Sequence, residues 1–295
     1  MIIQKRLLLF SKGMQNRFLR DSKTKLNCTW NKIIGLAQIS RAMFYNYLSE
    51  QNKLTYDVFN RLIKASKINA SAYSFETKIY EQNKGRIPAK NSLKFAEFIG
   101  IILGDGHLSK YKFQVVVTLN RRLELAYLHK LEQLFTYLFQ LKPKIRFLKN
   151  KNAAQIYFYS KEIHSFLNNT IGLPAEKRTN KPNNIIPAYF FKSTKLLSAG
   201  LRGLFDTEGS LSIRHHNAIR LSIYNNSSYL RASIFQALLF LGYNPIQKYR
   251  SIRLNRTSEI IKFFNEIGSN NHYKLQRYLI WRRTNKLPNV NTAVL

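Results

Sequence analysis

Ala96-Glu-Phe-Ile-Gly-Ile-Ile-Leu-Gly-Asp-Gly-His-Leu108 is answered 103 residues later by Ala199-Gly-Leu-Arg-Gly-Leu-Phe-Asp-Thr-Glu-Gly-Ser-Leu211. Ala96, Gly100, Gly104, Asp105, Gly106 and Leu108 align with Ala199, Gly203, Thr207, Glu208, Gly209 and Leu211, and apolar Phe98, Ile101 and Ile102 align with Leu201, Leu204 and Phe205. A small residue at every fourth position gives each helix one ridge with almost no side chain, and two such ridges can approach closely. Glycine inside a helix costs about 1 kcal/mol against alanine. Close helix contact is the packing reason for keeping it.

Both copies continue alike. A strand-like stretch (Gln114 to Thr118; Ile219 to Tyr224) precedes a helical one (Leu123 to Phe139; Tyr229 to Leu241). Two short strands follow (Lys144 to Leu148 with Gln155 to Tyr159; Ile246 to Tyr249 with Ser251 to Leu254), and a helix closes each set (Lys161 to Asn168; Ser258 to Ile267). The order αββαββα is written twice. Between the copies, Gly172 to Pro187 holds Pro174, Pro182 and a run of Asn and Lys, and reads as a linker.

Helices packed on these ridges bring their C-terminal ends together, with Asp105 and Glu208 directly after the last small residue. A helix C-terminus disfavours acids, so two acids there call for a cation between them. An oxygen donor set suits Mg²⁺ or Mn²⁺. A solvated turn acid explains one Asp-Gly; two copies in register favour a site. The chain has only 15 acidic residues, and Asp105, Asp206 and Glu208 stand at the two motif ends.

Against those acids stand 48 Lys and Arg, a net charge of +33. Such a chain repels itself unless a polyanion is at hand, and nucleic acid is the leading partner. A ribosomal-type protein or a membrane-surface binder would carry the charge too, but neither needs 20 Phe and 17 Tyr in a patterned sequence. The basic residues are scattered from Lys5 to Lys286, which assigns the charge to a folded face. Cys28 is the sole cysteine, which rules out an intrachain disulfide or zinc ribbon and predicts an intracellular protein of the cytoplasm or nucleoid, an organelle left open. The longest apolar run, Leu93 to Gly104, contains Lys94 and Glu97 and falls short of the ~20 residues that span a bilayer. With no nucleophile at Met1 and no His-Asn junction at Leu295, the chain is expected to be free-standing rather than an intein.

The two motifs, with their spacing and repeated αββαββα order, resemble those of single-chain LAGLIDADG homing endonucleases over about Leu93 to Arg283. Pro187 ahead of Leu201-Arg-Gly-Leu-Phe-Asp206 adds to the likeness. The resemblance implies an α+β fold, with two pseudo-symmetric αββαββα halves forming a DNA-binding saddle in a monomer. It implies site-specific, metal-dependent cleavage of both strands of double-stranded DNA, with Asp105 and Glu208 as the metal-binding catalytic acids and Gly104 and Thr207 beside them at the metal. Family members often carry a lysine or glutamine after the first hairpin of each half. This chain has Asn120 and Asn226 there, which cannot supply a charge, and Arg121 and Lys248 are the nearby candidates to do so.

On a saddle, alternate strand residues face the DNA. His107, Ser109, Gln114, Arg146, Gln155, Arg214, His216, Arg220, Arg250 and Arg253 are the base-reading candidates, with Lys151 and Ser222; a solvated polar face is as good an account of any one of them. His215 and His216, adjacent on a strand, point opposite ways and do not suggest a metal pair. Lys177, Arg178 and Lys181 are placed on phosphates.

Before Leu93, the stretches Trp30 to Gly35, Ser40 to Leu48 and Leu54 to Ala65 read as three short helices, with Ser40 as an N-cap. Ile34 to Leu48 is similar to helix-turn-helix domains of the phage-repressor type. That likeness implies a small all-α unit presenting Arg41, Ala42 and Tyr45 to bases; a plain three-helix core piece is the alternative. The expected division is 1–90 helix-turn-helix domain and tether, 91–172 first half, 173–192 linker, 193–285 second half and 286–295 tail. Two competing functions use the same scaffold: a non-cleaving DNA-binding transcription regulator, and an RNA-binding maturase.

Overall fold

The structure, a computed structural model, describes residues 2–83, 85–109, 111–149, 151–175, 181–214 and 218–289. Lys177, Arg178, His215 and His216 lie outside the described residues. The chain divides into two units, Met1–Asn83 and Lys84–Leu295.

In the N-terminal unit, strand β1 (Ile2–Phe10) pairs antiparallel along its whole length with β2 (Phe75–Asn83), from Ile2 opposite Asn83 to Phe10 opposite Phe75. Four helices lie between them: α1 (Met14–Lys25), α2 (Trp30–Ala37), α3 (Arg41–Leu48) and α4 (Tyr56–Ser66). The all-α expectation is therefore corrected. The two strands stand more than 60 residues apart, so neither has a local hairpin signal. Side-chain oxygens start three of the helices: Thr29 accepts from Lys32 N, Ser40 from Met43 N and Thr55 from Val58 N. Leu8, Phe18, Leu19, Ile33, Phe44, Phe59 and Leu62 fill this unit's own core.

In the larger unit, α5 (Leu93–Leu103) is buried from Phe95 to Leu103. A helix apolar on all sides belongs inside a core rather than on its surface. It is followed by β3 (Gly106–Leu108), β4 (Gln114–Asn120), α6 (Leu125–Phe139), β5 (Lys144–Phe147), β6 (Ala153–Tyr159) and α7 (Lys161–Ser165), the last running into a wider π-type turn at Phe166–Thr170. After the linker come α8 (Thr194–Glu208), β7 (Gly209–Ile213), β8 (Ile219–Tyr224), α9 (Ser228–Phe240), β9 (Ile246–Lys248), β10 (Ser251–Leu254) and α10 (Thr257–Glu266). Both sheets are four-stranded and antiparallel with the same order, β3-β4-β6-β5 and β7-β8-β10-β9. A single core joins them, through Phe98, Ile102, Val117, Ile156 and Phe135 on one side and Leu201, Phe205, Leu221, Ile252 and Phe263 on the other.

One more helix, α11 (His272–Thr284), was not expected from the sequence. Its buried positions are Lys274, Tyr278 and Trp281, a stripe that begins with a charge and so gives no apolar period. Among the described residues no helix is long and apolar enough to cross a membrane.

Candidate metal and nucleic-acid site

The site is positioned by the contact of α5 with α8. A Cβ on Gly100 would overlap the Gly200 carbonyl and come within 3.0 Å of Leu204 N. One on Gly203 would overlap the Glu97 carbonyl and stand 2.9 Å from Ile101 N. Backbone here meets backbone, which any side chain would separate. Gly200, not counted in the sequence ridge, shares the seam: its own Cβ would also meet Phe190 Cε2 at 2.6 Å. At the C-terminal end the contact changes character, because a Cβ on Gly104 would strike the Thr207 side chain and lie 3.1 Å from Glu208 Cγ.

Asp105 and Glu208 emerge at that end, each partly buried. The Asp105 carbonyl accepts from Thr118 N at 3.3 Å, tying the motif turn to β4. Glu208 Oε1 accepts from Asn225 Nδ2 at 2.9 Å. The residue touching the second acid is thus Asn225; its neighbour Asn226 is exposed. Asn120 is engaged locally: its Oδ1 accepts from Arg122 N and Leu123 N, and its own N–H donates to Glu124 Oε2. Arg121 is exposed, with its guanidinium 4.6 Å from the Phe147 ring centre, and Lys248 is exposed on β9. The Thr207 hydroxyl donates back to the carbonyls of Gly203 and Leu204, and Gly104 N donates to Gly100 O.

Sequence reasoning missed a buried polar network against this seam. The loop between α10 and α11 reaches both halves. Asn270 Nδ2 donates to Glu97 Oε1 at 2.6 Å, and Asn271 Nδ2 to Glu124 Oε1 at 2.7 Å and to the Asp206 carbonyl at 2.9 Å. Asp206, fully buried, accepts from the Ser269 hydroxyl and from Asn270 N. Burial pushes the Asp206 carboxyl up to about 6, against those hydrogen bonds and the Lys274 charge. Glu97 also receives Arg202, with Nη2 at 2.9 Å. Lys274 Nζ donates to the carbonyls of Phe205 and Thr207, both at 2.9 Å. Its burial lowers its pKa, opposed by Glu124, Asp206, Asp105 and Glu208. The Tyr127 phenol is held well above its ordinary value by burial and then by Asp206, Glu97, Glu124 and Asp105.

The strands place most of the base-reading candidates on one face of each sheet. Val115, Val117 and Leu119 of β4 are buried, so Gln114, Val116 and Thr118 take the opposite face. Pairing sets His107 against Val116, Gln114 against Tyr159, and Thr118 against Gln155, which in turn faces Arg146. Gln155 donates to Thr118 Oγ1, Arg146 Nε donates to Gln155 Oε1, and Gln114 donates to Tyr159 Oη. Ser109 follows β3 in the phase of His107, its N–H on Gln114 O. In the second sheet Ser212 pairs with Arg220, and Ser222 with both Ser210 and Arg253; Ser222 is buried. Arg214 is exposed past β7, Arg250 sits in the β9–β10 turn, and Lys151 is exposed in the β5–β6 turn. The Lys181 ammonium donates to Ala175 O.

In the N-terminal unit, α2 and α3 are joined by the turn Gln38–Ser40, Gln38 being left-handed at φ 53. Arg41, Ala42, Met43 and Tyr45 are exposed on α3, with the Arg41 guanidinium 5.9 Å from the Tyr45 ring centre. Gln15 of α1 locks this region from behind, donating to Tyr47 O and Asn52 O and accepting from Leu54 N.

Among the described residues no group of three or more His, Cys, Asp and Glu is gathered as for a metal ion. No protein-family model matches the chain, and no curated protein matches it. Among solved structures it is similar to the homing endonuclease I-WcaI bound to its DNA recognition sequence, with 15% identity over 64% of this chain and 88% of that one, at TM-score 0.47. It is similar to I-DmoI in complex with DNA and Mn, with 20% identity over 60% and 96%, at TM-score 0.41. A third similar structure is the N-terminal LAGLIDADG domain of DUF199/WhiA, with 20% identity over 61% and 86%, at TM-score 0.42.

Proposed function

We propose that this chain is a site-specific, metal-dependent endonuclease of double-stranded DNA of the LAGLIDADG homing type, working as a monomer, with Asp105 and Glu208 as its catalytic acids. The observation that carries this reading is the backbone-to-backbone seam of α5 and α8, which delivers one carboxylate from each motif to the same end. The two halves stand in pseudo-twofold relation, and their outward sheet faces form a saddle on the major groove.

The donor chemistry fits a hard divalent cation: carboxylate oxygens at a place where Gly104 admits the Glu208 side chain. Asp105 and Glu208 would hold Mg²⁺ or Mn²⁺, which supplies charge stabilisation at phosphate and leaving oxygens when bound. Asn225 orients Glu208; the outward Arg, Gln and His residues fix the duplex against the acids. In the N-terminal unit, α3 acts as the recognition helix of a helix-turn-helix, with Ser40 capping it and Arg41 and Tyr45 toward DNA.

The test is incubation with a library of DNA sites and Mg²⁺, comparing wild type with Asp105→Asn and Glu208→Gln. Cleavage lost in both variants supports the reading; binding without cleavage by the wild type overturns the enzyme. That outcome would favour a non-cleaving regulator on this scaffold, a reading supported by the engagement of Asn120 in a local turn rather than at the acids.

A further inference from the structure

Two acids at helix C-termini form an electrostatically unfavourable cluster in a folded protein without a bound cation. Lys274 stands at the end of α8. It comes from α11, outside both repeats, and its ammonium binds two of the last carbonyls of α8, Phe205 O and Thr207 O, on either side of buried Asp206 and directly before Glu208. Asn271, three residues earlier, binds the intervening Asp206 carbonyl, so three successive carbonyls at the end of α8 are closed by one segment.

We propose that Lys274 is the built-in counter-charge of the candidate site: a positioning residue that closes the α8 C-terminus and balances the motif acids before a cation or phosphate arrives. This rests on reading Asp105 and Glu208 as a cation site. The electrostatics agree in sign: burial lowers the lysine's pKa, and Glu124 and Asp206, then Asp105 and Glu208, oppose it. A charged group near the acids is what Asn120 and Asn226 lack, and here it comes from a different element and acts through main-chain carbonyls. Its removal leaves the acids more repulsive to each other and more attractive to a divalent ion.

The experiment is thermal melting of the full chain with and without MgCl₂, for wild type, Lys274→Met, Glu208→Gln and the double variant. Lys274→Met is expected to lower the metal-free melting temperature by about 5–10 °C. Mg²⁺ should then raise the variant about 3–5 °C more than it raises the wild type, the signature of roughly tenfold tighter cation binding. In the Glu208→Gln background the loss on removing Lys274 should shrink, because one of the charges it balances is gone. Equal losses in both backgrounds with an unchanged Mg²⁺ response would make Lys274 packing alone and overturn the proposal, while cleavage by the wild type would leave the nuclease reading standing. A wild type that neither responds to Mg²⁺ nor cuts overturns both. Lys274→Gln, which keeps a donor without the charge, takes the place of Lys274→Met if that variant does not fold, with the same outcomes deciding.

Discussion

The two halves of the larger unit share element order and strand order but differ at their motif ends. Where α5 ends with Leu103, Gly104 and Asp105, α8 ends with Asp206, Thr207 and Glu208. Leu103 is an ordinary core residue, whereas Asp206 is a buried acid satisfied by Ser269 and Asn270. After α10 the second half runs on into a further loop and helix, and that extension supplies Ser269, Asn270, Asn271 and Lys274. A repeated backbone can therefore carry an unrepeated polar network where a segment added to one copy bonds to both, as Asn270 does with Glu97 and Asp206. Both motifs are hydrogen-bonded, the first through Glu97 to Arg202 and Asn270, the second through Asp206 to Ser269 and Asn270.

The seam itself should respond most strongly to change. Gly203→Ala drives a Cβ into the Glu97 main chain, where no rotamer change can relieve it, and is expected to cost about 3 kcal/mol or more in urea unfolding. Gly104→Ala meets side chains, Thr207 and Glu208, rather than main chain and should cost about 1 kcal/mol, yet it pushes on Glu208 and should lower cleavage by on the order of a hundredfold. Equal stability losses would mean that the two ends of the seam do not differ in character.

Asp206 offers the next largest effect. Its carboxyl titrates at about 6 in the folded chain, against an ordinary 3.8, so between those values the folded state holds the extra proton. Stability from this group is then greatest at low pH, falls as pH rises from about 3.8 to about 6, and is level above that, a change on the order of 3 kcal/mol. Unfolding free energies measured from pH 3.5 to 7 should show this decline in the wild type and a flatter profile in Asp206→Asn. A decline of the same size in that variant would remove Asp206 as its source.

Much of this asymmetry could not be read from the sequence, for identifiable reasons. The repeated ridges announced α5 and α8 because small residues at every fourth position have few other uses, and alternation placed most of the strands within a residue or two. The helix α11 escaped because its buried stripe starts with Lys274, and β1 with β2 because strands so far apart pair by tertiary contact rather than by a turn. Placement after the first hairpin of each half selected Asn120 and Asn226. The connections to the next helix differ in length, however, so the asparagine that receives the following N–H groups is Asn120 in one half and Asn225 in the other. Only Asn225 also reaches a motif acid. Ser40 was legible as a cap because its hydroxyl acts on a neighbour three residues away, whereas Gln15 works across 32 to 39 residues.

That shift of one residue gives a smaller but more specific effect. Asn225→Ala removes the hydrogen bond to Glu208 and should cost about 1 kcal/mol of stability while impairing one of the two acids. On supercoiled plasmid carrying the target, nicked circles should accumulate with this variant. Asn120→Ala, which touches only its own turn, should destabilise by a similar amount without changing the ratio of nicked to linear product. Nicking by both variants or by neither would dissolve the distinction between the halves.

The smallest effects on the fold should come from the outward faces. Arg146 and Arg253 lie on the exposed sides of the two sheets, the first bonded to Gln155 and the second to Ser251. Neither supports a core contact, so Arg146→Ala and Arg253→Ala should each shift stability by no more than about 0.5 kcal/mol. If both sheets lie along one duplex, each variant should weaken DNA binding, and a phosphate contact would reduce the slope of log affinity against log salt by about one. A base contact would instead relax preference at one position of the target and leave the salt slope almost unchanged. Comparable losses from the two substitutions would extend the likeness of the halves from strand order to function. A loss from Arg146→Ala alone would confine recognition to the first half.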